Sequence, residues 1–156
     1  MTQPSLDALD RKILAVLQQD ARITNARLSE RVALSPSACL ARHRRLEALG
    51  VISGYRTEIA LERVRSSLRV VVQLKLKSHL PDDFRLLETL LQKDPRVVEA
   101  AEVSGIVDYY ATLCVRDMAD LRDCIDSLVT AAPCIESVNS FVIMHTAKSF
   151  SGLPLD

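Results

Sequence analysis

The residues with the most evident chemistry crowd into one stretch, ALSPSACLARHRRLEALG at residues 33–50, where Arg42, His43, Arg44 and Arg45 stand in succession. Guanidinium forks suit phosphate oxygens and the acceptor edges of guanine. A charge run of this kind is otherwise only a solvated face, so its placement decides its meaning. Ser35 is a good N-cap, Pro36 suits the first helical position, and Gly50 suits the position past the end, which predicts a helix over 36–49. At about 100° per residue, Cys39, Leu46 and Leu49 fall on one side with His43 at its edge. Ser37, Ala38, Ala41, Arg44, Arg45 and Ala48 fall on the other. Small side chains at the N-terminal end let a backbone approach bases, while arginines further along reach phosphate or guanine. The candidate nucleic-acid contacts are therefore Ser35, Ser37, Ala38, Ala41, Arg42, Arg44 and Arg45, with Arg56 adding a backbone contact. Arg42 lies beside the inward face, where an internal salt bridge competes with a phosphate contact.

Other reactive residue types form no constellation. Cys39, Cys114, Cys124 and Cys134 contain no CxxC pair, so a zinc site is not expected and buried free thiols are. The three histidines lie far apart: His43 in the basic helix, His79 in a loop near Pro81 and His145 at a strand end. With no nucleophile–base pair and no paired carboxylates, nothing points to catalysis, and neither cofactor nor metal is expected.

The elements that must position the basic helix are legible around it. Asp7 caps a helix carrying Leu9, Ile13, Leu14, Val16 and Leu17 at spacings of three and four. Thr24 or Asn25 caps a second, short helix with Leu28 and Val32. The tight Ala33–Leu34–Ser35 turn then makes a helix-turn-helix, with 36–49 as its recognition helix. VISGYRTEIA reads as a short strand with a turn, a small wing, and polar residues 58–67 as a linker.

Beyond the linker the periodicity changes. RVVVQLKLK alternates, with Val70, Val72, Leu74 and Leu76 facing one way and Val71, Gln73, Lys75 and Lys77 the other. A helix opens at Pro81 and stops at Asp94–Pro95. Strands follow at 97–103 and 108–115 around a turn at Gly105, then a helix at 117–131 and a last strand at 135–146. The order βαββαβ makes a ferredoxin-like sheet with both helices on one face, so the whole chain is α+β. Its boundaries are 1–57 for the helix-turn-helix, 58–67 for the linker and 68–156 for the second domain. The open sheet face, carrying Val71, is expected to pair with a copy of itself.

Composition agrees. Apolar residues make up 48% of 156 and charged residues 26%, as in ordinary globular proteins. There is no Trp, so the core is aliphatic. Net charge is zero, yet residues 1–56 hold nine Arg or Lys against five Asp or Glu, and the remainder eleven against fifteen. Only the first module is drawn to phosphate. No signal peptide or membrane span is recognised, so the expected location is the cytoplasm.

These residues together resemble the leucine-responsive/asparagine-synthetase regulator family (Lrp/AsnC) of bacterial and archaeal transcription factors, over nearly the whole chain. The matching text is Leu6–Asp7 with Asp10 and Ile13–Leu14, the run from Ala21 to Asn25, Leu34–Ser35–Pro36, Arg42, Leu46 and the run from Gly50 to Tyr55. Gly105, Asp108 and Tyr109 match the family's glycine-x-x-aspartate-tyrosine turn, followed by the runs Val115 to Met118 and Val142 to Met144. The resemblance implies sequence-specific binding to double-stranded operator DNA, dimers assembling to octamers, and a response to an amino acid or related metabolite held between dimers. It carries an effector site onto Ser104, Gly105, Ile106, Val107, Asp108 and Tyr109, with Asn139 and Ser140 approaching from another subunit. Asp108 either holds an α-ammonium or orders the loop, and Gly105 either admits a carboxylate to backbone N–H groups or simply makes the turn. Ile106–Val107 departs from the polar residues usual in relatives, which points to an apolar or aromatic effector. Other departures are His43, where a branched apolar residue is usual, and His145–Thr146, which replaces an acidic pair. Two rival readings are a ligand-independent nucleoid-organising protein, against which the neutral charge argues, and an enzyme like the sirohaem decarboxylases, for which no His/Arg cluster is evident.

Overall fold

The computed structural model describes residues 4–155. The chain divides into two compact units, one running to Glu58 and including the tail from Lys148, the other spanning Ile59–Ala147.

In the first unit, three helices surround a small aliphatic core: α1 (Ala8–Gln19), α2 (Asn25–Val32) and α3 (Pro36–Ala48). Their ends follow the capping residues. Asp7 accepts the backbone N–H groups of Leu9 and Asp10, and the Asp10 carboxylate returns to the Asp7 N–H, closing a reciprocal box. Thr24 and Ser35 cap α2 and α3 with one side-chain bond each, accepting the N–H of Arg27 and of Ala38. The core is Ile13, Leu14, Leu17, Leu28, Val32, Cys39 and Leu46, so the apolar stripes of all three helices converge. Leu49, expected inward, is instead the last residue of the α3 cap and 46% exposed, because the chain has already begun to turn at Gly50 (φ +68°). The α2–α3 turn passes through Ala33 in the left-handed region (φ 57°, ψ 48°).

One expectation for this unit fails. Among the described residues, 51–60 form no strand. A strand needs an edge to pair with, whereas this segment folds Tyr55 back onto α3, where its hydroxyl donates to Glu47 (3.0 Å) and meets His43 Nε2 at 2.6 Å. The tail from Lys148 packs with the helices of this unit. Gln18 brackets Leu153, accepting its N–H (2.5 Å) and donating to its carbonyl (3.2 Å), and Leu155 packs on the three-helix core.

The second unit is a four-stranded antiparallel sheet, β1 (Leu68–Leu76), β2 (Val97–Glu102), β3 (Tyr109–Val115) and β4 (Ile135–Val142), in the order β2-β3-β1-β4. Helices α4 (Pro81–Lys93) and α5 (Met118–Ala131) supply the crossovers. Val70, Val72, Leu74 and Leu76 are all buried, as their alternation requires, with Leu87, Leu91, Leu113, Val115, Leu121 and Cys124 around them. The last strand ends four residues earlier than the sequence pattern suggested. Across the opposite face the register sets Phe141 beside Val71 and Asn139 beside Gln73, with Tyr110 on the other flank of Gln73. Phe141 (53%) and Tyr110 (39%) are exposed there. All four cysteines are free. No described helix is long and apolar enough to cross a membrane.

Candidate functional site

The recognition helix α3 presents Ser35, Ser37, Ala38, Ala41, Arg44 and Arg45 to solvent, with Arg56 exposed beyond it. Burial of Cys39 and Leu46 fixes its rotation. A further tie sets its start, since Asn25 Nδ2 donates to the Pro36 carbonyl at 2.9 Å.

The arginines are not equivalent. Asp10 on α1 is 1% exposed, and a buried carboxylate must be paired. Arg42 Nη1 donates to Asp10 Oδ1 (2.9 Å) and to Asp7 Oδ2 (2.7 Å). Arg45 Nη1 donates to Asp10 Oδ2 (3.0 Å), and its Nη2 to the Ser5 carbonyl (3.2 Å). The backbone N–H of Asp10 and then Arg42 hold the Asp7 carboxyl below its usual range. Arg42 is thus the internal salt bridge its position allowed. Arg45 lies on the outward face but reaches back to the same carboxylate. Arg44 makes no ion pair among the described residues and is the free guanidinium of the helix.

The loop between β2 and β3 is the second candidate. Gly105 has φ +138°, a backbone open to glycine and strained for other residues. Ile106 is 89% exposed while Val107 is buried. Asp108 is committed to the fold. Its Oδ2 accepts the Leu76 N–H (2.7 Å) where β1 bulges, and its Oδ1 meets His79 Nε2 (2.8 Å). The Leu76 N–H, and then His79, hold its carboxyl below the ordinary value. His79 stacks on Phe84, which leans on Tyr109, and the Tyr109 hydroxyl donates to Glu88 (3.0 Å). Burial and the Glu88 carboxylate both push that phenol's pKa up. Sequence reading missed His79 and Glu88, because only the fold brings residues 29 and 21 positions away to Asp108 and Tyr109.

Asn139 and Ser140 do not join this loop within one chain. β1 lies between β3 and β4, so two strand spacings of roughly 5 Å separate them from the β3 end. They also alternate, Asn139 opposite Gln73 on the open face and Ser140 opposite Val72 on the helix side. Among the described residues no group of His, Cys, Asp and Glu has the arrangement to hold a metal.

Comparison with known proteins bears on both units. Residues 6–53 match a family model described as winged helix-turn-helix DNA-binding, and residues 69–153 match the Lrp/AsnC ligand binding domain. The leucine-responsive regulatory protein of Escherichia coli K12 is 38% identical over 148 residues, covering 95% of this chain and 90% of that protein. The protein of that name from Haemophilus influenzae is 36% identical over 151 residues, covering 97% and 91%. A transcriptional regulator of Neisseria meningitidis, solved as an L-Met complex, superposes with a TM-score of 0.91 at 30% identity, covering 97% of this chain and 98% of that one. An AsnC family regulator from Agrobacterium tumefaciens gives 0.89 at 31%, covering 96% and 97%. These relatives are regulators, and the chain, a DNA-binding transcriptional regulator with a ligand-binding domain, belongs to the Lrp/AsnC family.

Proposed function

We propose that this regulator reads operator DNA as a dimer through the outward face of α3 and adjusts that binding to an apolar amino acid. The observation carrying the first half is the exposed run Ser35, Ser37, Ala38, Ala41 and Arg44 on a helix whose rotation is fixed by burial. Ser35 and Ser37 lie at the helix N-terminus, where hydroxyls and backbone N–H groups suit a phosphate. Ala38 and Ala41 clear the way to base edges, and Arg44 reaches phosphate or guanine. Arg42 and Arg45 set the α1–α3 angle, with Arg45 exposed enough to touch DNA as well. Arg56 adds a backbone contact.

Self-association rests on the open sheet face, where Val71, Tyr110 and Phe141 form an apolar strip. Octamers of such dimers would bring Asn139 and Ser140 of one subunit to the loop of another, completing a site with Ser104, Gly105, Ile106, Val107, Asp108 and Tyr109. Within it Asp108 orders the loop, and the exposed Ile106 supplies the apolar contact. The cytoplasm is the compartment that fits a DNA-binding regulator.

The test selects a preferred duplex from a random pool with the purified full chain. Affinity and assembly mass are then measured with L-leucine, L-methionine, L-phenylalanine, L-aspartate and L-lysine. An apolar amino acid should shift one or both. A response confined to the charged pair would overturn the apolar assignment, and no response at all would leave a regulator acting without a ligand.

A further inference from the structure

A cleft of about 470 Å³ opens on the helix-covered side of the second unit, between α4 and α5 above the sheet. Its partly exposed walls include Leu90 of α4 and Ile125 and Leu128 of α5, over a closed base of Val72, Leu74, Ala111 and Leu113, none more than 3% exposed. Protein interiors pack closely, so a gap of this size over a sheet needs a cause. The cause is small residues where a helix pair usually interdigitates: Ala111 beneath, and Cys124, Ser127 and Ala131 along α5. Each helix rests on its strand, α4 on β2 and α5 on β3. The volume falls within the range of roughly 300–1,000 Å³ common to small-molecule sites.

One end of the cleft is polar. Arg96 spans Asp94 (2.6 Å) and Asp120 (3.4 Å), and Arg116 pairs with Asp120 as well (3.1 Å). Two guanidinium groups thus balance two carboxylates, and Lys93 adds a further positive charge at the rim. Asp94 is saturated, accepting from the Arg96 backbone, from its guanidinium and from the Cys124 thiol. It has no capacity left for a ligand ammonium. Arg96 does have capacity, since Nε, one Nη1 hydrogen and one Nη2 hydrogen serve Asp94 and Asp120 while two of its five N–H groups are unclaimed among the described residues. Burial, reinforced by Asp94, pushes the Cys124 thiol up to about 11, so it stays protonated and uncharged there.

We propose that this cleft binds a small apolar carboxylic acid, its branched or aromatic body on Leu90, Leu113, Ile125 and Leu128 and its carboxylate on Arg96 and Lys93. An amino acid fits less well, because its ammonium finds no free acceptor at that end. The site lies within one subunit and shares no residue with the loop at Gly105, so it stands independently of the effector reading.

The experiment uses the full chain and no DNA. Calorimetric titration with 4-methylpentanoate and phenylacetate is compared with 4-methylpentanamide and L-leucine. The acids should bind with micromolar to millimolar affinity, the amide at least tenfold more weakly. Ser127→Phe should fill the cleft and abolish acid binding, with circular dichroism and melting showing an intact fold. If that variant does not fold, Lys93→Gln at the rim should weaken the acids severalfold and leave the amide unchanged. The proposal is overturned if neither acid binds below about 10 mM, if acid and amide bind alike, or if Ser127→Phe binds the acids as the parent does. A heat seen only as the protein is diluted into smaller assemblies would overturn it too, because the cleft would then be filled by a second copy.

Discussion

The recognition helix and the β2–β3 loop pose the same structural problem and solve it differently. Each needs a charged residue locked into the fold so that its neighbours can face outward. On α3 the lock is Asp10, buried and held by Arg42 and Arg45, and what it presents is a complete surface ending in Arg44. On the loop the lock is Asp108, held by the Leu76 N–H and His79, and what it presents is Ile106, exposed with nothing from its own chain around it. A groove of DNA can be met by one rigid convex helix. A small molecule must be surrounded, so under the proposed reading the loop would be one wall of a site that a second subunit completes.

The largest effect should separate the arginines. Arg44→Ala is expected to weaken operator binding roughly tenfold to a hundredfold, with the salt slope reduced by about one and the melting curve unchanged. Arg42→Ala should lower the melting temperature, because it leaves Asp10 with less compensation. Arg45→Ala should do both in smaller measure. Fluorescence anisotropy paired with calorimetric melting distinguishes the three. Were Arg44→Ala to melt early with affinity intact, the free and anchored assignments would have to be exchanged.

The two turns differ as well. Both need positive φ, yet the loop supplies Gly105 (+138°) and the helix-turn-helix supplies Ala33 (+57°). Gly105→Ala should therefore destabilise by about 1–3 kcal/mol through backbone strain alone, since a Cβ there meets nothing within 4 Å. Ala33→Gly should stabilise the first unit by up to about 1 kcal/mol by removing the left-handed penalty. Urea unfolding of each variant checks the opposite signs. Equal signs would mean that the Ala33 conformation is held by something other than the turn.

Legibility in the sequence followed the range of the interactions. Local signals were readable: Asp7 and Ser35 cap the helices they precede, Thr24 is the one of the pair Thr24/Asn25 that caps α2, and the alternation Val70, Val72, Leu74, Leu76 marks the buried face. Contacts between distant residues were not. Nothing in the spacing shows Arg45 crossing to Asp10, His79 meeting Asp108, or Leu155 returning to the three-helix core, because each depends on how elements pack. The missing strand after α3 has the same origin. Its composition allows an extended segment, but pairing needs an edge, and Tyr55 is taken by Glu47 and His43 instead.

The smallest effect concerns the lock on the loop. The Asp108 carboxyl is held below its ordinary 3.8 first by the Leu76 N–H and then by His79. A depressed carboxylate stabilises the fold above its unfolded value, and that contribution disappears as pH falls through the folded value. Asp108→Asn should therefore be less stable than the parent at pH 7 and equally so at pH 5, with the gap closing below pH 3.8 as the parent's carboxylate protonates. Urea midpoints at pH 7, 5 and 3 measure this directly. A gap that persisted undiminished at pH 3 would mean that the charge of Asp108 is immaterial to the loop and that only the shape of its side chain holds β1 to β3. In that case the carboxylate would be available to a ligand, and the contrast drawn with Asp10 would fail.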